Sequence, residues 1–131
     1  EQEGTSQRGY LEVRHLGHHV RQMVQDALNA FARFDTTQAL SVLREDENVD
    51  LEYRSATRAL ITFMMEDPRA ISQVMNIMWA LRSLERVGDH ASNLAESVIY
   101  LVEGQDVRYA DLEQIEAALA RRKGKEQLAA E

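Results

Sequence analysis

Apolar residues recur at steps of three and four along most of the chain. From Tyr10 to Phe34 the stripe is Val13, Leu16, Val20, Met23/Val24, Ala27/Leu28 and Phe31, the spacing of one buried helix face. Asp35-Thr36-Thr37-Gln38 breaks and restarts it, with Asp35 placed as N-cap and Gln38 at the third helical position. A second helix is predicted from Thr36 to Glu66, carrying Ala39, Leu43, Tyr53, Leu60, Ile61 and Met64. Asp67-Pro68 then reads as an N-cap followed by proline at the first helical position. The third helix runs from Pro68 to Glu103 on Ile71, Val74, Met78 and Leu81, and Gly104 suits the left-handed residue past its end. A shorter segment, Ala110 to Arg121, places Leu112, Ile115 and Leu119 at helical spacing. Residues 1–9, EQEGTSQRG, lack periodicity and read as a linker or tag remnant, and the closing RRKGKEQLAAE reads as frayed or disordered. The prediction is an all-α chain: an antiparallel three-helix bundle over 10–104, with a short C-terminal helix and tail over 105–131.

Two of the stripes are not apolar throughout. On the third helix the line through Leu81 continues as Glu85, Asp89, Ser92 and Glu96, and Asn93 stands four residues beyond Asp89. On the second, Leu43 leads to Asp46 and Asp50 before the line resumes at Thr57, Ile61 and Met64. The Asp67-Pro68 turn adds a second constraint. In an antiparallel hairpin, residues equidistant from the turn share a height; Asp50 pairs in this way with Glu85, and Asp46 with Asp89. Four carboxylates at one level repel unless they are protonated, salt-bridged or metal-bound. Hard oxygen ligands on facing helices suit iron, manganese, magnesium, calcium or zinc. The plainer reading is a solvated acidic face paired with Arg44, Arg54, Arg82 and Arg86.

Composition narrows the function classes. The 131 residues suffice for one core, and a single proline with abundant Ala, Leu, Glu and Arg favours helix. With no cysteine, disulfides, zinc ribbons and thiol nucleophiles are excluded. A net charge of −7 argues against nucleic-acid binding through phosphates, and no run approaches the roughly 20 apolar residues of a membrane span. There is no phosphate-cradling glycine loop and no nucleophile motif. In RHLGHH, His15, His18 and His19 have ligand spacing, and Glu12-x-x-His15 is half of a di-iron signature. The second half is missing, so these histidines are assigned to a solvated surface. His90 is placed as a neighbour of the acids rather than a ligand, and Gly88 as room for a facing helix or ion. Trp79, Met64, Met65, Met75 and Met78 are assigned to the core.

Three segments carry a family resemblance: LERVGDHASNLAESVIYLVEGQDVRY (84–109), FMMEDPRAI (63–71) and DENVDLEY (46–53). In that order and spacing they resemble the PhoU family of phosphate-uptake regulators, over Tyr10 to Tyr109. The resemblance implies cytoplasmic, all-helical proteins of two tandem three-helix repeats, with acidic E(D)-x-x-x-D motifs that bind multinuclear metal clusters. Carried over, the motifs fall on Asp46/Asp50 and Glu85/Asp89, with Asn93 beside them. It further implies a non-enzymatic negative regulator of the phosphate-starvation response, coupling the ATPase subunit of the phosphate ABC transporter to a membrane sensor histidine kinase at the inner face of the membrane. One repeat is present, which reads as the C-terminal half of a longer protein. The resulting expectation is a binding and signalling module holding a divalent or ferric ion (iron, zinc, manganese or magnesium). Its rivals are a carboxylate-bridged metal-dependent enzyme and a plain helical interaction module. Whether the chain forms a homodimer stays open.

Overall fold

The computed structural model describes residues 2–104 and 112–130, with side chains from residue 9 onward. Three long helices, α1 (Gln2–Arg33), α2 (Thr36–Glu66) and α3 (Ile71–Glu103), pack against one another as an antiparallel bundle, and α4 (Leu112–Ala130) lies beside α2. The described residues contain no strand. The stripes meet along the axis: Leu16, Val20, Met23 and Ala27 from α1, Val42, Val49 and Ala56 from α2, and Val74, Leu81, Ala95 and Val98 from α3 are all buried. Truncating a side chain such as Leu81 to alanine would cost about 2–5 kcal/mol in lost transfer energy and an unfilled cavity.

The predicted punctuation is built as expected. Asp35 caps α2, its Oδ1 accepting from the Gln38 amide at 3.1 Å. Asp67 accepts from the Arg69 amide at 3.2 Å, and Pro68–Ala70 forms a 3-10 turn before the α-helical geometry begins at Ile71. Gly104 closes α3 in the left-handed region (φ 68°), donating to Tyr100 O at 2.8 Å. The α1–α2 corner uses the same device with a less suited residue. Phe34 sits at φ 53°, while the Asp35 amide donates back to Ala30 O at 2.9 Å, the six-to-one bond of a Schellman ending.

Two expectations at the chain ends are corrected. The opening stretch is not a non-helical linker, because α1 already starts at Gln2. Gly9, within that stretch, is a contact: a Cβ built there would lie 2.2 Å from Ile77 Cδ1. Only glycine lets α1 press this closely on α3 without displacing Ile77. The closing RRKGKEQLAA is not frayed either, since α4 continues through Ala130. Ile115 and Leu119 are buried, and Arg44 of α2 reaches Glu116 (Nε–Oε1 2.7 Å). Arg122 pairs with Glu103 at 2.9 Å and donates to Val102 O at 3.0 Å, and Lys123 Nζ meets Thr37 Oγ1 at 3.0 Å. The part of the expected C-terminal segment at residues 105–111 lies outside the described residues.

Candidate functional site: an acidic cluster between α2 and α3

Val49 is fully buried against the other two helices. Neighbouring residues on a helix point about 100° apart, so the residues flanking Val49 fall on two different seams. Asp46 and Asp50 turn toward α3, and Glu45 and Glu52 turn toward α1. The α3 side supplies Glu85 and Asp89, one helical turn apart, with Ser92 buried beneath them.

The two helices bring these acids together around Asp46. Its carboxyl is pushed up to about 6: partial burial disfavours its charge, and the charges of Asp50, Asp89 and Glu85 add to that. A hydrogen bond from Ser92 pulls the other way and loses. Asp46, Asp50 and Glu85 are partly buried, whereas Asp89 and Asn93 are exposed. Among the described residues no ion pair to Arg or Lys neutralises Asp46, Asp50, Glu85 or Asp89. Arg44, a candidate partner for them, is committed to Glu116 instead.

The donor set is of the kind a hard cation takes, carboxylates from two facing helices. The cluster is nonetheless open. As the side chains stand, no three His, Asp or Glu groups among the described residues converge to hold one ion. Gly88 does not line this cluster. A Cβ there would meet Val20 and Val49 at 3.6 Å, so the glycine faces the α1 and α2 core rather than an ion.

On the other seam, the assignment of the histidines to a solvated surface holds for His15 and His18 and fails for His19. His19 is partly buried between two carboxylates, with Nδ1 2.9 Å from Glu52 Oε2 and Nε2 hydrogen-bonded to Glu45. Glu52 Oε1 also holds His15 Nε2 at 2.7 Å. His18 is exposed. Partial burial lowers the His19 pKa, but the hydrogen bonds and charges of Glu45 and Glu52 outweigh it and raise the pKa above 6.5. The available signal was the spacing: His15 and His19 are one turn apart, and Glu45 and Glu52 are two.

The core assignment also fails for part of the Met and Trp set. Trp79 is 64% exposed and Met65 80%, and Met75 is also exposed; Met64 and Met78 are half-buried against the core. A cavity of about 140 Å³ lies away from the acids, between α4 and the end of the bundle. Its charges are already paired, Arg122 with Glu103 and with Glu126 at 3.0 Å.

Comparison with known proteins places this arrangement. The PhoU domain family matches residues 13–98. A phosphate-specific transport system accessory protein PhoU homolog from Pseudomonas aeruginosa is 60% identical over 123 residues, covering 94% of this chain and 51% of that protein. The phosphate-specific transport system accessory protein PhoU of Escherichia coli K12 is 42% identical over 110 residues, covering 84% and 46%. The crystal structure of PhoU from Pseudomonas aeruginosa superposes with a TM-score of 0.74 at 66% identity, over 79% of this chain and 50% of that one. The chain thus spans about half the length of the relatives it matches. Long capped helices, the acids on facing turns and these matches lead to one assignment: the chain belongs to the PhoU domain family.

Proposed function

We propose that this chain is a regulatory repeat of a phosphate-transport accessory protein. It acts as a non-catalytic cytoplasmic module that restrains the phosphate-starvation response by coupling the ATPase subunit of the phosphate transporter to a sensor histidine kinase. The relatives' shared description as accessory proteins of the phosphate-specific transport system carries the reading. No helix among the described residues is long and apolar enough to cross a membrane, in keeping with attachment through partners.

Within this reading the open cluster of Asp46, Asp50, Glu85 and Asp89, with Asn93 on the rim, is the metal site. These residues would hold a divalent or ferric ion, which would neutralise their repulsion and tie α2 to α3. What supports it is the raised Asp46 and its three acidic neighbours, none of which makes an ion pair among the described residues. The test combines two measurements. Protein carrying this bundle, purified without chelator, is analysed for iron, zinc, manganese and magnesium. In cells, Asp50→Asn/Glu85→Gln in the full-length protein should leave phosphate-starvation genes partly active in high phosphate. Metal-free protein together with unchanged gene repression would remove the metal from the reading. Failure to capture the transporter ATPase subunit would remove the coupling role.

A further inference from the structure

Next to their turn, α2 and α3 share an outward face that no other helix among the described residues covers. On α2, Arg54, Arg58, Ile61 and Met65 recur at steps of four and three, along one side of the helix. On α3, Ile71, Met75, Trp79, Arg82 and Arg86 do the same. Every residue of both rows is exposed, the five apolar ones at 41–80%. Ile61 stands about three turns from Asp50, and Met75 about four turns from Asp89, so each row runs along the edge where its helix meets the other. The antiparallel turn sets the heights. Met65 is level with Ile71, Ile61 with Met75, Arg58 with Trp79 and Arg54 with Arg82. Both helices are therefore zoned alike, apolar at the turn and cationic above it.

This face differs from an ordinary solvated surface in two ways. Its apolar residues are contiguous rather than scattered, and Trp, Met and Arg are the types that interfaces concentrate. Its arginines are also unfavourably placed for the helices alone. Arg54 and Arg58, like Arg82 and Arg86, are like charges one turn apart, which destabilises a helix. Among the described residues none of the four makes an ion pair. We propose that this face docks an amphipathic helix that is apolar at one end and rich in Asp or Glu at the other. Its apolar end packs on the zone beside the turn and its carboxylates meet the arginines. Charge complementarity selects an anionic occupant, and the next residues along the rows limit its extent. Past the arginines the rows reach Asp50 and Asp89, which repel a continuous anionic surface such as a lipid bilayer. A partner helix of about 15 residues, about 22 Å long, spans both zones and ends where those acids begin.

Trp79 is the chain's single tryptophan and lies where the zones meet, so its emission reads docking directly. The probe is a designed helical peptide without Trp, with Leu and Ile at one end of a face and Glu at the other end of that face. A control peptide carries Lys in place of Glu. Both are titrated in EDTA, which keeps the measurement independent of any metal at the acids. Docking predicts a saturable blue shift with the Glu peptide and binding at least about tenfold weaker with the Lys peptide. Arg58→Glu/Arg82→Glu should invert that preference, and a gain for the Lys peptide is a readout that an unfolded variant does not give. Met75→Ser should weaken both peptides about tenfold. Equal binding of the two peptides, an unmoved Trp79, or an unchanged preference in the double variant would overturn the proposal. So would a blue shift with phosphatidylglycerol vesicles but not with the Glu peptide, which would give the face to a lipid surface. A shift that grows with protein concentration alone would overturn it too, by giving the face to a second copy of the chain.

Discussion

His19 on α1 and Glu52 on α2 meet at 2.9 Å, ring Nδ1 to carboxylate Oε2, while the other ring nitrogen bonds to Glu45. Imidazole can donate from both nitrogens only when protonated, so this seam is complete only in the charged form. A group whose folded pKa is raised stabilises the fold fully below its unfolded value of about 6.5 and loses that effect as pH rises through the folded pKa. Urea unfolding of the wild type should therefore show stability falling above about pH 6.5. His19→Gln should flatten that part of the curve. An unchanged slope would show that the seam does not titrate.

Asp46 acts in a lower window. Its pKa is raised to about 6, so the folded chain binds a proton that the unfolded chain has already lost above about pH 4. Stability should thus fall between about pH 4 and 6 and level off above. Asp46→Asn can keep the Ser92 contact while removing the charge. In chelator at pH 8 it should raise stability by about 1–2 kcal/mol, a value reduced for solvent screening. A loss of stability would mean that the neighbouring acids do not repel it.

Asp50→Asn/Glu85→Gln probes the same cluster with the ion as a variable. Without metal the double variant should melt higher than the wild type, because two repelling charges are gone. With the cognate ion the order should reverse, since a ligand that binds only the folded state adds about 2.7 kcal/mol at a hundred times Kd. Melting curves with iron, manganese, zinc and magnesium decide it. Identical responses of both proteins to every ion would identify the acids as a solvated face.

Gly88 tests the helix junction. A Cβ there meets Val20 and Val49 at 3.6 Å and Met23 at 4.0 Å, ordinary van der Waals contact. Gly88→Ala should therefore stabilise by about 0.5–1 kcal/mol through reduced backbone entropy of the unfolded chain. Gly88→Leu should destabilise by about 1–3 kcal/mol, because nothing there can yield without moving a helix. Calorimetry of the two variants separates these outcomes.

Gly104 has open space around it but a φ of 68°. Gly104→Ala should cost about 1 kcal/mol from conformation alone, with no change in the core. A neutral result in denaturant unfolding would show that the end of α3 frays.

The helices and turns were legible because caps and periodicity are local. Asp35, Asp67-Pro68 and Gly104 each act within a few residues, and all three end up in their expected roles. The acidic cluster was legible for a different reason: an antiparallel hairpin maps distance from the turn onto height, so Asp46 could be matched with Asp89 and Asp50 with Glu85. What stayed hidden depended on a third helix. Nothing local marks Gly9 as the seat of Ile77, or His19 as the partner of Glu45 and Glu52, because the rotation of α1 is set by packing. The exposed Trp79 and Met75 were hidden by the opposite effect. They have helical spacing like core residues, but the face they occupy meets no other helix among the described residues.

Glu45 and Asp46 are consecutive on α2, one held by α1 and the other close to the α3 acids. A helix turns as a rigid axle, so a roll that seats Asp46 deeper beside Ser92 swings Glu45 away from His19, and the reverse roll exchanges the two. The bundle therefore has one rotational setting of α2 that satisfies both seams.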